Sequence, residues 1–304
     1  MTTLVQKEAL NDRILPAAFY ALSAHFLFVV MGATAKYLSE THHVIEVAFF
    51  RNLFVVIPFF IILAFSGRLD LLKTKRPKTV AVRAIVGSLS LIVTFGAQSL
   101  LPLSNATVLL YMSTLLTPAF AYFFLRERVG AHRWAAIIIG MSGVLVIAAP
   151  SSKISAIGLV LALFAAFLHA SMYTMLRHLK TEPAVTVTFY FVLAGMIVPG
   201  LLMPWYGQGI RMEEAWLFFL VGASGGFAQL ALTNAYKYAP AAVITPFAYT
   251  SLIWSTLMDS MIWHNPPGHS VYTGAAIIIA AQLYILYREH VNRQKTSHIK
   301  SEIP

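Results

Sequence analysis

The sequence contains no cysteine, so disulfides, thiolate nucleophiles and cysteine-bound metals are excluded. Charge is scarce. Asp, Glu, Lys and Arg make up 11% of the 304 residues, against roughly 25% in soluble domains. No Gly-x-x-x-x-Gly-Lys loop occurs, so nothing in the chain would cradle the phosphates of ATP. The apolar runs do not alternate polar with apolar residues, as the strands of a membrane barrel must.

What is there instead is apolar length. Hydrophobic residues account for 58% of the chain, in runs close to 20 residues that recur from end to end. Each run can cross about 30 Å of hydrocarbon as a helix. Lipid cannot satisfy open backbone groups, so such runs must be helical. The sequence predicts an all-α membrane protein with ten transmembrane helices at 17–36, 44–65, 81–100, 104–124, 133–150, 154–176, 185–205, 214–235, 240–262 and 270–287. The first run follows Lys7 and Arg13, as a signal peptide would, but it belongs to an internal repeat and is expected to be retained.

Ten spans put both termini on one side. With that side in the cytoplasm, the inner segments carry 18 Lys and Arg and the outer segments three, Lys36, Lys153 and Arg211. This is the asymmetry of the positive-inside rule. It explains the net charge of +10 without a nucleic-acid partner.

The chain also repeats. Residues 21–58 lie on 162–199 without a gap, with Ala21, Leu22, Ala24, Phe26, Leu27, Met31 and Leu38 meeting identical partners. Later segments match at slightly different offsets, around Ala106 with Ala241 and Ala136 with Gly274. The predicted organisation is a cytoplasmic segment 1–16, a first five-helix repeat 17–150, a second 151–287 and a cytoplasmic tail 288–304. Five is odd, so the two repeats are inverted relative to each other. Inverted repeats are a common architecture of secondary transporters, with the substrate near the midplane between them. Pro118 and Pro246 fall inside the fourth and ninth spans. An interior proline frees a carbonyl and permits a kink, which puts these spans at a cavity wall.

Two stretches carry a family likeness. "LPLSNATVLLYMSTLLTPAFAYFFLRERVGAHRWAAIIIGMSGVLVIAAP" and "TNAYKYAPAAVITPFAYTSLIWSTL" resemble the drug/metabolite transporter superfamily, in its ten-helix EamA-type branch. Glu127, Arg133, Trp134, Gly140 and Gly143 hold the pattern of the first stretch. Ala235, Tyr236, Ala239, Pro240, Pro246, Tyr249 and Trp254 hold that of the second. Asn265 stands where the second repeat would carry a glutamate partner to Glu127. The resemblance implies alternating access to a central cavity and no cofactor. It implies carriage of a small organic metabolite, of amino-acid, S-adenosylmethionine-like or flavin-like kind, across a bacterial inner membrane. With ATP excluded, the coupling partner is a proton or a counter-solute, and a monomer or a homodimer is expected.

Ionisable groups inside membrane helices are costly and are functional candidates by default. His25, Gln98, Tyr111, His169, Tyr173, Gln229, Asn234 and Tyr249 are the polar and aromatic groups predicted at depth, and they are read as substrate-binding. Each has an alternative role as a hydrogen bond between helices. Histidine could also carry a proton. Asp259 is the one acid deep in a span, with coupling and a structural role as its two readings. Arg51 lies about 10 Å into the second span. Its long side chain could snorkel outward, or it could attract an anionic substrate group.

Two other readings compete. "GASGG" at 222–226 satisfies Gly-x-Ser-x-Gly, and a rhomboid-like serine protease carries a related motif. That reading needs a base in reach of Ser224, and the later histidines His264 and His269 fall in an outer loop. Glu40, His42, His43 and Glu46 could ligate a metal, but their spacing matches no dedicated site.

Overall fold

The computed structural model describes residues 2–126, 130–148, 155–179, 181–239 and 241–301. Glu127, Lys153, Lys180 and Pro240 lie outside them. Regular structure among the described residues is entirely helical. In chain order the helices are α1 (Thr2–Leu38), α2 (Val44–Phe65), α3 (Pro77–Leu100), α4 (Leu103–Leu110), α5 (Met112–Leu125), α6 (Ala131–Ala148) and α7 (Ala156–His178). They continue as α8 (Ala184–Gly200), α9 (Met203–Tyr206), α10 (Ala215–Tyr238), α11 (Ala241–Ile244), α12 (Thr250–Ile262) and α13 (His269–Ser301). Short 3₁₀ turns cover Leu69–Leu72 and Thr245–Tyr249.

Eight helical segments are long and apolar enough to cross a membrane, with α4 and α5 together forming one of them. The other two spans expected from the sequence are shorter as helices. The run at 185–205 ends as a helix at Gly200, and that at 240–262 is divided into α11, a 3₁₀ turn and α12. The division falls at Pro246, whose missing N–H and fixed φ cannot continue a helix. Pro118 behaves differently, because α5 runs through it and the break in this span lies at Tyr111.

The long helices pair side by side: α1 with α10, α3 with α7, α2 with α8 and α6 with α13. Small residues permit this closeness. A Cβ at Gly143 would lie 2.8 Å from the Gly274 carbonyl oxygen, and one at Gly274 would lie 2.6 Å from that of Gly143. Without an oil-to-water driving force between helices in lipid, such contact is what holds them.

The two ends of the bundle are tied by different chemistry. At the basic end, the loop carrying Lys73, Lys75 and Arg76 meets α8. Thr186 Oγ1 donates to the Leu71 carbonyl, Tyr190 donates to that of Leu72 at 2.9 Å, and Glu182 accepts from Lys75 N at 3.1 Å.

The opposite end has two polar clusters. His42 lies 3.0 Å from Glu46 and 2.8 Å from Glu214, and Glu46 also accepts the backbone N–H of Gly209 at 3.0 Å. In the second cluster Asp259 is 0% exposed and caps α4 from another helix. Its carboxylate accepts Leu103 N at 2.8 Å, Ser104 N at 2.7 Å and Ser104 Oγ at 2.6 Å. The residue preceding α4 is Pro102, which has no side-chain acceptor of its own. Lys36 adds an ion pair at 3.7 Å, donates to the Leu101 carbonyl at 2.7 Å and lies 4.5 Å over the Trp263 ring. The structural reading of Asp259 thus has a specific content: it supplies the anion at a helix N-terminus.

Candidate functional site

The two interrupted spans meet at their interruptions. Tyr111 stands between α4 and α5, and Tyr249 closes the 3₁₀ turn before α12. Their rings pack edge to face, 5.5 Å apart at 88°. The Tyr111 hydroxyl donates to the Ala248 carbonyl at 3.1 Å. An interrupted helix leaves backbone carbonyls without their helical donors, and in a membrane each must find another. Gln282 of α13 provides one: its Nε2 donates to the Tyr111 carbonyl at 2.6 Å. Its Oε1 accepts the Tyr249 hydroxyl at 2.6 Å. One buried amide therefore links both broken spans.

His25 of α1 joins this group through Ser251, whose hydroxyl lies 3.4 Å from Nδ1. Ser251 also stands beside the Tyr111 hydroxyl. His25, Tyr111 and Tyr249 thus come together on three spans, with Ser251 and Gln282 as partners that the sequence reading missed. Gln282 had a visible signal, since it is the one amide in "GAAIIIAAQLYILY". Ser251 had none, because a serine in an apolar helix usually bonds the preceding turn.

His169 and Tyr173 form a second group on α7, with ring centroids 6.0 Å apart. His169 Nδ1 lies 2.9 Å from both Ser90 Oγ of α3 and the Ala165 carbonyl oxygen. Tyr173 is 42% exposed, yet Arg83 of α3 and Tyr236 of α10 both face it. Gln98 is buried on α3 against Gly32 of α1, and its Oε1 has no hydrogen-bond partner among the described residues.

Gln229 and Asn234 are half-buried on α10. Five residues apart, they point about 140° from each other around the helix. They do not share one face of α10.

Arg51 does not snorkel. It is 3% exposed, with Nη1 donating to Asn52 Oδ1 at 2.8 Å. Asn52 in turn donates to the carbonyls of Ala48 and of Gly195 in α8, which fixes the pair.

The competing readings lose their geometry. Ser224 is buried and donates to the Leu220 carbonyl at 2.6 Å, the back-bond of a helical serine. Of the metal candidates, His42 and Glu46 bond each other, His43 Nδ1 accepts from Ile45 N at the start of α2, and Glu40 accepts from Trp263. No group of three or more metal-binding side chains occurs among the described residues.

Comparison with known proteins fits these features. The model of the EamA-like transporter family matches residues 15–149 and again 156–287. The chain belongs to the EamA-like transporter family. It is an integral membrane protein of transporter type.

An S-adenosylmethionine uptake transporter of Rickettsia bellii is 28% identical over 87% of this chain and 92% of its own length. The pseudopaline exporter CntI of Pseudomonas aeruginosa is 26% identical over 89% of this chain and 95% of its own. A solved crystal structure shares the fold with a TM-score of 0.63 at 18% identity, covering 88% of this chain and 95% of the other. The EamA-like model matches twice, and the boundary between its two matches falls at 149–156.

Proposed function

We propose that this EamA-like protein is a secondary transporter of a small organic metabolite in a bacterial inner membrane. It would work by alternating access between two inverted five-helix repeats, with both termini cytoplasmic. One observation carries the reading. Two spans broken in their interior touch at their interruptions, Tyr111 and Tyr249. Transporter substrate sites are built at such breaks. Helix pairing supports the inverted repeat: α1 with α10 and α3 with α7 are the exchanges that a two-fold axis in the membrane plane would make.

The proposed substrate contacts are His25, Tyr111 and Tyr249 at the breaks and His169 and Tyr173 toward the basic end. Gln98, Gln229, Asn234 and Arg51 complete the set. An amino-acid, S-adenosylmethionine-like or flavin-like ligand would suit aromatic walls with few polar anchors. The names of the relatives make S-adenosylmethionine the first compound to test. Relatives are named for uptake and for export, so both directions are assayed.

The experiment is transport by alanine variants of His25, Tyr111, His169, Gln229 and Tyr249, normalised to folded protein. Losing one contact costs on the order of 1–3 kcal/mol, so affinity should fall roughly fivefold to a hundredfold. Wild-type transport in all five would place the site elsewhere.

A further inference from the structure

Two arginines well inside the spans have no carboxylate partner among the described residues. The ion pairs among the described residues are Lys36 with Asp259 and His42 with Glu46 and Glu214, and neither Arg51 nor Arg83 takes part. Both are buried, at 3% and 8% exposure. A guanidinium is charged at any physiological pH, and a buried charge without a partner is costly. Arginines kept this way are usually there for something that binds them.

The two are held alike. Arg51 donates from Nη1 to Asn52 Oδ1 at 2.8 Å; Arg83 donates from Nη1 to the Val187 carbonyl at 3.4 Å. In each, Nε has no hydrogen-bond partner among the described residues. The scaffold thus takes Nη1 and leaves Nε, on the Nε and Nη2 edge, without a partner among the described residues. That edge presents two parallel N–H donors, the geometry that grips a carboxylate bidentately.

A glycine seats Arg51, and another seats the ring under Arg83. A Cβ on Gly225 of α10 would lie 2.9 Å from Arg51 Nε and 3.0 Å from Nη2. A Cβ on Gly87 would lie 2.7 Å from the Phe191 ring, and Arg83 rests 4.9 Å over that same ring.

Their heights differ. Arg51 is seven residues into α2 from the end opposite the basic loop, about 10 Å deep at 1.5 Å per residue. Arg83 is six residues into α3 from the basic end, about 9 Å deep by the same rise. His25, Tyr111, Tyr249 and His169 lie between these levels.

We propose that Arg51 and Arg83 are two stations for a single carboxylate on the substrate, one on each side of the central site. A lone guanidinium balances one negative charge, so a carboxylate suits it better than a doubly charged phosphate. Gly225 packs against that edge of Arg51, and the polar clusters of His42 and Asp259 lie at that end. Arg83 stands near Tyr173, toward the basic end. The carboxylate would therefore be met by Arg51 when that end opens and by Arg83 when the basic end does. The assignment rests on the transporter reading above.

The test uses purified protein in liposomes, with S-adenosylmethionine and its decarboxylated form as probes. They differ by one carboxylate. Arg51→Gln and Arg83→Gln should each lower S-adenosylmethionine transport about tenfold or more, the range expected for a charge-assisted hydrogen bond. Transport of the decarboxylated compound should change less than about twofold. Arg51→Lys and Arg83→Lys keep the charge but lose the fork, and they serve as folding controls through their melting temperatures. Equal losses for both compounds in folded variants would overturn the proposal, as would full S-adenosylmethionine transport by either Gln variant. If the wild type takes up neither compound, the substrate choice falls separately. The arginines are then tested by thermal shift with metabolites in acid and amide pairs. Acids that raise the melting temperature of the wild type but not of the Gln variants support the stations. Stabilisation by amides alone, or by no acid, rejects them.

Discussion

Gln282 shows how much one side chain can hold in a membrane interior. It accepts from the Tyr249 hydroxyl and donates to the Tyr111 carbonyl, both at 2.6 Å. Replacing it with leucine keeps volume but removes both bonds. The Tyr111 carbonyl and the Tyr249 hydroxyl would then be buried without partners. Each unsatisfied buried group costs about 1–3 kcal/mol. Gln282→Leu should therefore lower the melting temperature in detergent and slow transport, whereas Gln282→Glu retains an acceptor for Tyr249. A Gln282→Leu protein as stable as the wild type would show that water replaces the amide. Nothing in the local pattern ranks this glutamine above Gln229, since both are amides in apolar runs. Only the interruptions at Tyr111 and Tyr249 create its task.

At the scale of elements, the link between the α1–α2 connection and the start of α10 depends on protonation. Burial alone would push the His42 imidazole down, but hydrogen bonds to Glu214 and Glu46, with their charges, leave it raised above 6.5. The hydrogen bond from His42 holds the Glu214 carboxyl below 4.5, with Arg211 adding to the effect. A raised histidine contributes stability that is present below its unfolded pKa and lost as pH rises through the folded one. A lowered carboxylate contributes stability that is present above its unfolded pKa and lost as pH falls through the folded one. The link is therefore strongest between about 4.5 and 6.5 and loosens as pH climbs above that window. Glu214 is only half-buried, so solvent screens part of its effect. Backbone amides of 39–46 and 207–214 should exchange faster at pH 8.5 than at pH 6 after correction for intrinsic rates, and His42→Phe should remove the difference. Identical protection at both pH values in the wild type would exclude the switch. Sequence spacing offered a metal site for these residues because it showed Glu40, His42, His43 and Glu46 close together. It could not show that Glu214, 172 residues from His42, supplies the partner. Interrupted spans were partly legible: Pro246 marks one break, but Pro118 lies seven residues beyond the other, at Tyr111. A missing N–H permits a break without fixing where packing makes it.

For the whole molecule, apolar run length and the absence of alternation made the helical membrane class readable, because lipid leaves the backbone few options. The family match was readable from two stretches, one in each half. Orientation rests on charge alone, and it can be checked directly. The protein has no cysteine, so any introduced one is a unique label. Asp70→Cys lies in the loop at the basic end, and Gln208→Cys lies between α9 and α10 at the other. Both positions are exposed. The 18-to-3 distribution of Lys and Arg predicts that the basic end faces the cytoplasm. In intact spheroplasts a membrane-impermeant maleimide should then label Gln208→Cys, and Asp70→Cys only after permeabilisation. The reverse pattern would invert the orientation and leave the pairing of α1 with α10 intact. Labelling of both from outside would do more damage. It would mean that the helices between them cross the membrane an even number of times, and the two five-helix repeats could not then be related by inversion.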